Sequence, residues 1–316
     1  MQRKSVAAVV VAYNRRELLT ETLTALLAQE RVPDRIVVVD NGSTDGTSEL
    51  VSERFPAVEL TTLPRNTGGA GGFAVGVERA LLAGQGADWV WLMDDDTVPG
   101  PGALGALLDA ADRLAEPELL ASRVVWTDGR DHPMNMPRVR PFADAADRGD
   151  AERVGAYPVR SASFVSTLVR ASAVRRAGLP IADYFLWNDD FEFTTRLLRH
   201  GRGYLVRGST VTHKTKVFGG TDADPGPRFY LEVRNKVWLL GRGRSLGPLE
   251  RLLYVGSTLR RWARTIARSR RRRVLADGLV RGLRDGLARG PRHNADVLAD
   301  LPAPLVVGQR ALGGRP

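Results

Sequence analysis

The stretch Arg35–Gly46, RIVVVDNGSTDG, decides the fold. Four consecutive apolar residues, Ile36 to Val39, leave no polar face, so the predicted strand Arg35–Asp40 is covered on both sides. It ends on Asp40 and a turn-rich loop, Asn41-Gly42-Ser43-Thr44-Asp45-Gly46, which leads to a helical segment at Thr47–Arg54. The same unit recurs on either side. Residues 6–12, VAAVVVA, form a continuous apolar run closed by Tyr13-Asn14, and Arg16–Gln29 then places Leu18, Leu19, Leu23, Leu26 and Leu27 on one side of a helix. Downstream, Val58–Leu63 reads as a third strand, Asn66–Gly72 as a Gly-rich loop and Phe73–Ala83 as a helix. Asp88–Met93 is a fourth strand, ending in Asp94-Asp95-Asp96. Four strand–helix units in roughly 110 residues predict an α/β domain: a mostly parallel sheet with helices on both faces. Polar residues repeatedly follow the strand carboxyl ends, the edge where such sheets bind ligands.

Further along, Leu119–Trp126 predicts a strand and Thr127–Tyr157 a long surface loop. Ala162–Val169 reads as a strand, Ala171–Ala177 and Asp189–His200 as helices, and Tyr204–Val211 as a strand leading into Thr212-His213-Lys214. From about Arg228 the pattern is helical.

The chain has 316 residues, 43% hydrophobic and 26% charged, which excludes wholesale disorder and leaves ample length for a packed core. The absence of cysteine excludes a disulfide framework, thiolate zinc and a cysteine nucleophile. No stretch reads as a signal peptide or a spanning helix, so a cytoplasmic chain is expected. The net charge of +10 is carried almost wholly by Arg, with Lys only at positions 4, 214, 216 and 236. Residues 241–292 hold fifteen Arg against three acids, a local +12, so the remainder is slightly acidic. There Leu252, Val255, Leu259, Trp262 and Ile266 recur at spacings of three and four, with Arg251, Arg260, Arg261, Arg264 and Arg268 between them. This is an amphipathic helix with an Arg-rich face. Leu275, Leu279, Leu283 and Leu287 extend the pattern, while Gly278, Gly282 and Gly286 each weaken helicity by about 1 kcal/mol relative to Ala.

Several groups could carry chemistry. Adjacent carboxylates repel, and Asp94 and Asp96, pointing to one side of an extended chain, could share a hard divalent ion; a solvated strand end with Asp96 as a helix cap is the alternative. The glycines after Asn66 suit close approach of a phosphate or simply tight packing. The segment satisfies neither the strict G-x-G-x-x-G pattern nor the Lys-bearing P-loop. Asp189, Asp190 and Glu192 open a predicted helix, where acids complement the macrodipole, yet one of them could serve as a general base. His213, at the end of a late strand, could complete an Asp/Asp/His site.

In order along the chain, VVVAYN (9–14), VDNGSTD (39–45), NTGGAGGF (66–73), WLMDDD (91–96), WNDDFEF (187–193) and His213 resemble the inverting family-2 glycosyltransferases of GT-A fold, over roughly residues 6–240. NTGGAGGF, WNDDFE and Arg228-Phe229-Tyr230 with Arg234-Asn235 are most similar to actinobacterial galactofuranosyltransferases that act on lipid-linked rhamnosyl-GlcNAc in cell-wall galactan assembly. Related rhamnosyltransferases share much of the pattern, and the chain has no room for the extra domains of the chain-polymerising galactofuranosyltransferase. The resemblance implies a GT-A catalytic domain over residues 1–240 and a helical Arg-rich region over 241–316. It assigns Ala12, Tyr13, Asn14 and Asp40 to the nucleotide's base and ribose, and Asn66, Gly68 and Gly69 to the border of nucleotide and sugar. Asp94, Asp96 and His213 become ligands of Mn²⁺ or Mg²⁺, with Asp95 nearer the sugar. Asp190 matches the catalytic base, and Trp187 and Asp189 match acceptor-binding positions. Asn188 separates Trp187 from Asp189 where some relatives read W-D-D, which leaves the base open between Asp189 and Asp190.

The implied reaction is a single displacement with inversion, in which Asp190 deprotonates an acceptor hydroxyl. UDP-galactofuranose is the implied donor, with a dTDP-rhamnose or other hexosyl donor as the alternative. A lipid-linked acceptor gives the Arg-rich helix a use at an anionic membrane, peripheral on the inner face, with Leu252, Leu259, Trp262 and Ile266 as apolar contacts. The competing use of that face is packing on the rest of the chain or on a second copy, as in a homo-oligomer. Nucleic-acid binding is disfavoured, because one interleaved Trp and no recognised motif accompany the arginines.

Overall fold

The computed structural model describes residues 3–82, 86–141, 143–219, 224–243 and 245–301. Its first half runs β1 (Val6–Ala12), α1 (Arg16–Leu27), β2 (Arg35–Asp40), α2 (Thr47–Arg54), β3 (Glu59–Thr62), α3 (Gly68–Leu82), β4 (Trp89–Asp94), β5 (Thr97–Pro99), α4 (Ala103–Arg113) and β6 (Pro117–Val125). There follow β7 (Arg138–Val139), α5 (Ala145–Arg153), β8 (Ala156–Ser161), β9 (Thr167–Arg170), α6 (Ala171–Ala177), α7 (Asp189–Leu197) and β10 (Arg202–His213). The C-terminal helices are α8 (Phe229–Val237), α9 (Pro248–Arg268), α10 (Arg272–Ala288) and α11 (Asn294–Val297). The final part of the region predicted at 241–316, residues 302–316, lies outside the described residues, as does Ala83 at the end of the predicted third helix.

The sheet order is β3-β2-β1-β4-β9-β6-β10-β8-β7, with β5 pairing β10. β3, β2, β1, β4, β6 and β10 point the same way, whereas β9 runs antiparallel between β4 and β6 and β8 antiparallel along β10. The sheet is therefore mostly parallel, as the strand–helix repeat predicts. Strand alternation sorts its two cores: Ala7, Val9, Val11, Val37, Val39, Val90 and Leu92 pack with Phe73, Val77 and Phe193 of α3 and α7. Val6, Ala8, Val10, Ile36, Val38, Trp89 and Trp91 pack with Leu19, Leu23 and Leu26 of α1 and Leu104 and Leu107 of α4.

Three local expectations are corrected. The glycines read as a loop begin α3 instead, because the helix must lie close against β1: a Cβ at Gly72 would stand 2.5 Å from Val11 Cγ1, and one at Gly76 2.4 Å from Val9 Cγ1. The predicted strand Ala162–Val169 straddles a connection between β8 and β9; Ala162, Phe164 and Val165 are buried, but against the sheet rather than in it. The stretch read as surface loop, Thr127–Tyr157, contains α5, whose first turn is capped by the Asp144 carboxylate accepting from Asp147 N.

The C-terminal helices have a small core of their own, in which Phe229, Val233, Trp262 and Leu275 are buried with Ile266, Leu279 and Leu283 packed against them. The glycines read as weakening α10 form its contact face on α8, where a Cβ at Gly282 would lie 2.7 Å from Val233 Cβ. Of the residues expected to meet a membrane, Leu252 and Leu259 are exposed, but Trp262 and Ile266 face this core. Trp262 lies about 80° round the helix from Leu252, so one edge of a broad apolar face covers Phe229 and the other faces solvent. Buried Arg160 of β8 fastens the start of α9, donating to Ser245 O at 2.6 Å and to Glu250 Oε1 at 2.6 Å.

Candidate active site

The acidic triplet stands where β4 leaves the sheet, and the antiparallel pairing of β5 with β10, His213 opposite Thr97, brings His213 back beside it. One ligand atom each from Asp94, Asp96 and His213 can be drawn within 4.8 Å of one another. His213 Nδ1 lies 2.8 Å from Asn135 Oδ1, an acceptor that places the proton on Nδ1. Nε2 then faces Asp96 Oδ1 at 3.1 Å, and that oxygen is buried without a hydrogen-bond donor. Two groups in this position are satisfied either by a further proton on Nε2 or by a cation that both ligate. Two hard carboxylates and one imidazole thus fit a divalent ion such as Mn²⁺ or Mg²⁺. Burial, then repulsion from Asp96, pushes the Asp94 carboxyl up to about 7. Asp95 is pushed up to about 6, chiefly by burial and against the attraction of Arg15.

Three loops meet at the carboxyl ends of β1, β2 and β4. Tyr13 N donates to Asp95 Oδ2 at 3.0 Å, clamping the Ala12–Asn14 turn onto the triplet, and the Tyr13 ring is exposed as a stacking surface. Asn14 Oδ1 accepts from Thr44 N at 2.8 Å, and Asp40 Oδ1 from Ser43 N at 2.9 Å, so the loops after β1 and β2 brace each other. Asn66 Oδ1 accepts from Gly68 N at 2.7 Å. The buried side chain of Asn41 knits this segment to β2, accepting from Thr67 N at 2.8 Å and donating to Gly68 O at 2.8 Å.

The segment before α7 has a left-handed backbone at three non-glycine residues, Phe185, Trp187 and Asn188, with φ of 63°, 67° and 64°. Such a run is costly and needs outside support. Asn235 of α8 supplies it, donating through Nδ2 to the carbonyls of Tyr184, Leu186 and Trp187 at 2.9, 3.0 and 2.8 Å. Arg234 donates to the carbonyl of Asp183 at 2.8 Å. On the other side Ala70 N of α3 donates to Phe185 O at 3.2 Å. The segment therefore bridges the glycine turn and α8, and Asp189 Oδ2 lies 3.9 Å from where a Cβ on Gly69 would be. Burial and the neighbouring Asp190 hold the Asp189 carboxyl well above the usual range, with Asp94 adding to the effect. Asp190 is also raised by burial, but the Phe191 amide and Lys236 pull against it.

Asp94, Asp95, Asp96 and His213 thus share one cluster with the Tyr13 loop, and Asp189 lies beside Gly69, near enough to Asp94 to be raised by it. Trp187 and Asp190 sit on the adjoining segment, while Asp40 and Asn66 brace the loop after β2 and the turn into α3. Four residues escaped the sequence reading: Arg15, Asn41, Asn135 and Lys236. Arg15 pairs with Asp96 at 2.6 Å and Asp95 at 3.2 Å. Lys236 is buried with its Nζ 4.8 Å from the Phe191 ring centre, and burial lowers it to about 8. Its signal was its type, one of four lysines in a chain that otherwise uses Arg. Asn135 had none, because it lies in the stretch read as surface.

A side-chain relay connects this segment to α9. Asn188 Nδ2 donates to Glu232 Oε2 at 2.8 Å, and Glu232 Oε1 in turn accepts from Arg261 and from Trp262 Nε1.

The family model described as glycosyl transferase family 2 matches residues 7–175. The galactofuranosyltransferase GlfT1 of Mycobacterium tuberculosis is 34% identical over 256 residues, 76% of this chain and 83% of its own. The N-acetylglucosaminyl-diphospho-decaprenol L-rhamnosyltransferase of the same organism is 31% identical over 240 residues, 67% of this chain and 76% of its own. Among solved structures, residues 1–349 of S. aureus TarS in complex with UDP-GlcNAc superpose with a TM-score of 0.62 at 17% identity, covering 98% of this chain and 88% of that one. Of the longer TarS chain this protein spans 53%. GalNAc-T7 with UDP, GalNAc and Mn²⁺ superposes with a TM-score of 0.56 at 14% identity, over 74% of this chain and 48% of that one.

Proposed function

Because the chain belongs to glycosyl transferase family 2, it is a glycosyltransferase, and we propose that it moves galactofuranose from UDP-galactofuranose to a lipid-linked glycan acceptor in cell-wall galactan synthesis. The observation that carries the chemistry is the convergence of Asp94, Asp96 and His213 beside the segment bearing Asp189 and Asp190. The donor sugar rests on GlfT1, which matches more of this chain, at higher identity, than the rhamnosyltransferase does.

In this reading Tyr13 stacks on the base, Asp40 and Asn14 hold the ribose side, and Asn66, Gly68 and Gly69 border the nucleotide and the sugar. Asp94, Asp96 and His213 hold a divalent cation, which supplies neutralisation of the charge developing on the departing diphosphate. Asp95 lies nearer the sugar. Trp187 and Asp189 meet the acceptor, and Asp190 takes the proton from its hydroxyl. Asp190 is the better base of the two because Lys236 favours its ionised form, whereas burial and the neighbouring Asp190 and Asp94 disfavour that of Asp189. Attack on the sugar from the face opposite the diphosphate inverts the anomeric centre.

Residues 1–240 form the catalytic unit and 241–316 the membrane-facing one. No helix among the described residues is long and apolar enough to cross a membrane. The solvent side of α9 carries Leu249, Leu252, Leu253 and Leu259, 56–69% exposed, flanked by Arg260, Arg264 and Arg268. That combination suits an anionic lipid surface on the inner face of the membrane, where a diphospholipid acceptor is presented.

The test is a panel of UDP- and dTDP-sugars assayed with an alkyl rhamnosyl-GlcNAc acceptor. Transfer from UDP-galactofuranose, abolished by EDTA and restored by Mn²⁺, is expected. Transfer from dTDP-rhamnose alone would replace this reading with the rhamnosyl one, which the second relative favours. Transfer from no donor would overturn both.

A further inference from the structure

Arg15 is the residue between the nucleotide loop and the acidic triplet. It precedes α1, makes no cap bond there, and places one guanidinium nitrogen 2.6 Å from Asp96 Oδ2 and 3.2 Å from Asp95 Oδ1. The two carboxylates are 6–7% exposed, but the Arg15 side chain is 48% exposed, so the cationic partner has freedom that the acids lack. The surrounding backbone is held: Tyr13 N bonds to Asp95, and Thr22 Oγ1 of α1 donates to Asp95 O at 2.9 Å. Any rearrangement of charge at this point falls to the guanidinium. Asp96 serves both groups through different oxygens, Oδ2 to Arg15 and Oδ1 to the side facing His213, so a cation ligated there meets the positive charge of Arg15 across one carboxylate.

We propose that Arg15 exchanges partners during donor binding, leaving Asp95 and Asp96 for the diphosphate of the nucleotide when Asp96 would ligate a cation. The proposal rests on the donor-binding reading above. A planar guanidinium suits both partners, since its parallel N–H groups match carboxylate and phosphate oxygens alike. The consequence is linkage. A cation arriving alone is repelled by Arg15, which has no anion to draw it away, whereas a cation arriving with a diphosphate supplies one. Each ligand therefore strengthens the other's binding by the same factor.

The experiment measures Mn²⁺ and UDP binding, separately and together, by calorimetry on the full chain and on its Arg15→Gln and Arg15→Lys variants, with thermal unfolding as the check on folding. Arg15→Gln is expected to bind Mn²⁺ alone about tenfold tighter and UDP with Mn²⁺ roughly 10- to 100-fold more weakly, the scale of one charge-assisted hydrogen bond. Arg15→Lys, which keeps the charge without the fork, is expected to fall between the two. Unchanged or weakened binding of Mn²⁺ alone in both variants overturns the exchange, as does undiminished binding of UDP. A wild-type chain that binds neither ligand overturns the donor-binding reading and this proposal with it. Wild-type binding with an indifferent Arg15 overturns the exchange alone.

Discussion

Asp190 is placed between burial, which favours its neutral form, and Lys236, which favours the charged one. Its carboxyl lies above the ordinary range, so the acid limb of kcat/KM is expected above the pH near 4 of a free carboxylate. Lys236→Met removes the opposing charge and should move that limb to higher pH, as read from the pH profile; a limb that stays in place would separate Lys236 from the base. Asp190→Asn should abolish transfer while keeping UDP affinity. Asp189→Asn is expected to weaken acceptor KM more than kcat, and the reverse split would exchange the two roles. Asn135 acts through His213: Asn135→Ala should lower Mn²⁺ affinity by about tenfold or more in calorimetry, the usual scale for loss of such a support. The residues legible in the sequence were those whose chemistry stands at a strand end. Asn135 and Arg15 were not, because their roles come from what the fold brings opposite them, an imidazole 78 residues away and a triplet some 80 residues on.

At the scale of elements, the parallel half of the sheet was legible because apolar strands and leucine-faced helices alternate from Val6 to Met93. Glycine misled at residues 68–72, which begin α3 rather than a loop, for a physical reason. Its low helix propensity is outweighed where a backbone must approach closely, and that approach depends on the neighbour rather than on the helix itself. Gly76→Ala and Gly282→Ala, whose Cβ atoms would stand 2.4 Å from Val9 Cγ1 and 2.7 Å from Val233 Cβ, are each expected to lose about 1–3 kcal/mol in urea unfolding. Gly256→Ala on α9, with nothing within 4 Å of the new Cβ, should gain about 0.5–1 kcal/mol. Equal effects at all three would remove packing as the explanation. The strand predicted at Ala162–Val169 is right only in its second part, where Thr167–Val169 pair within β9; an apolar run marks burial, not pairing, and Ala162, Phe164 and Val165 are buried without joining the sheet.

For the whole molecule, the charge has two addresses. Residues 1–240 are slightly acidic and set three adjacent carboxylates at one strand end, while residues 241–292 hold fifteen arginines against three acids. α9 reaches both ways: Trp262 is buried on Phe229, Arg261 is paired through Glu232 to Asn188 beside Asp189 and Asp190, and the leucines of the opposite edge face outward. Flotation with vesicles containing anionic phosphatidylglycerol should therefore fall in Leu252→Glu/Leu253→Glu, with the fold retained. Flotation unaffected by these changes would leave the outer edge of α9 without a lipid role. A single displacement at one cleft, with the base on one side of the sugar and the cation cluster on the other, inverts the anomeric centre. Proton NMR of the product formed from UDP-galactofuranose and the alkyl rhamnosyl-GlcNAc acceptor reads that outcome. The expected product has an anomeric centre opposite in configuration to the donor's; a product that keeps the donor's configuration would rule out the single displacement.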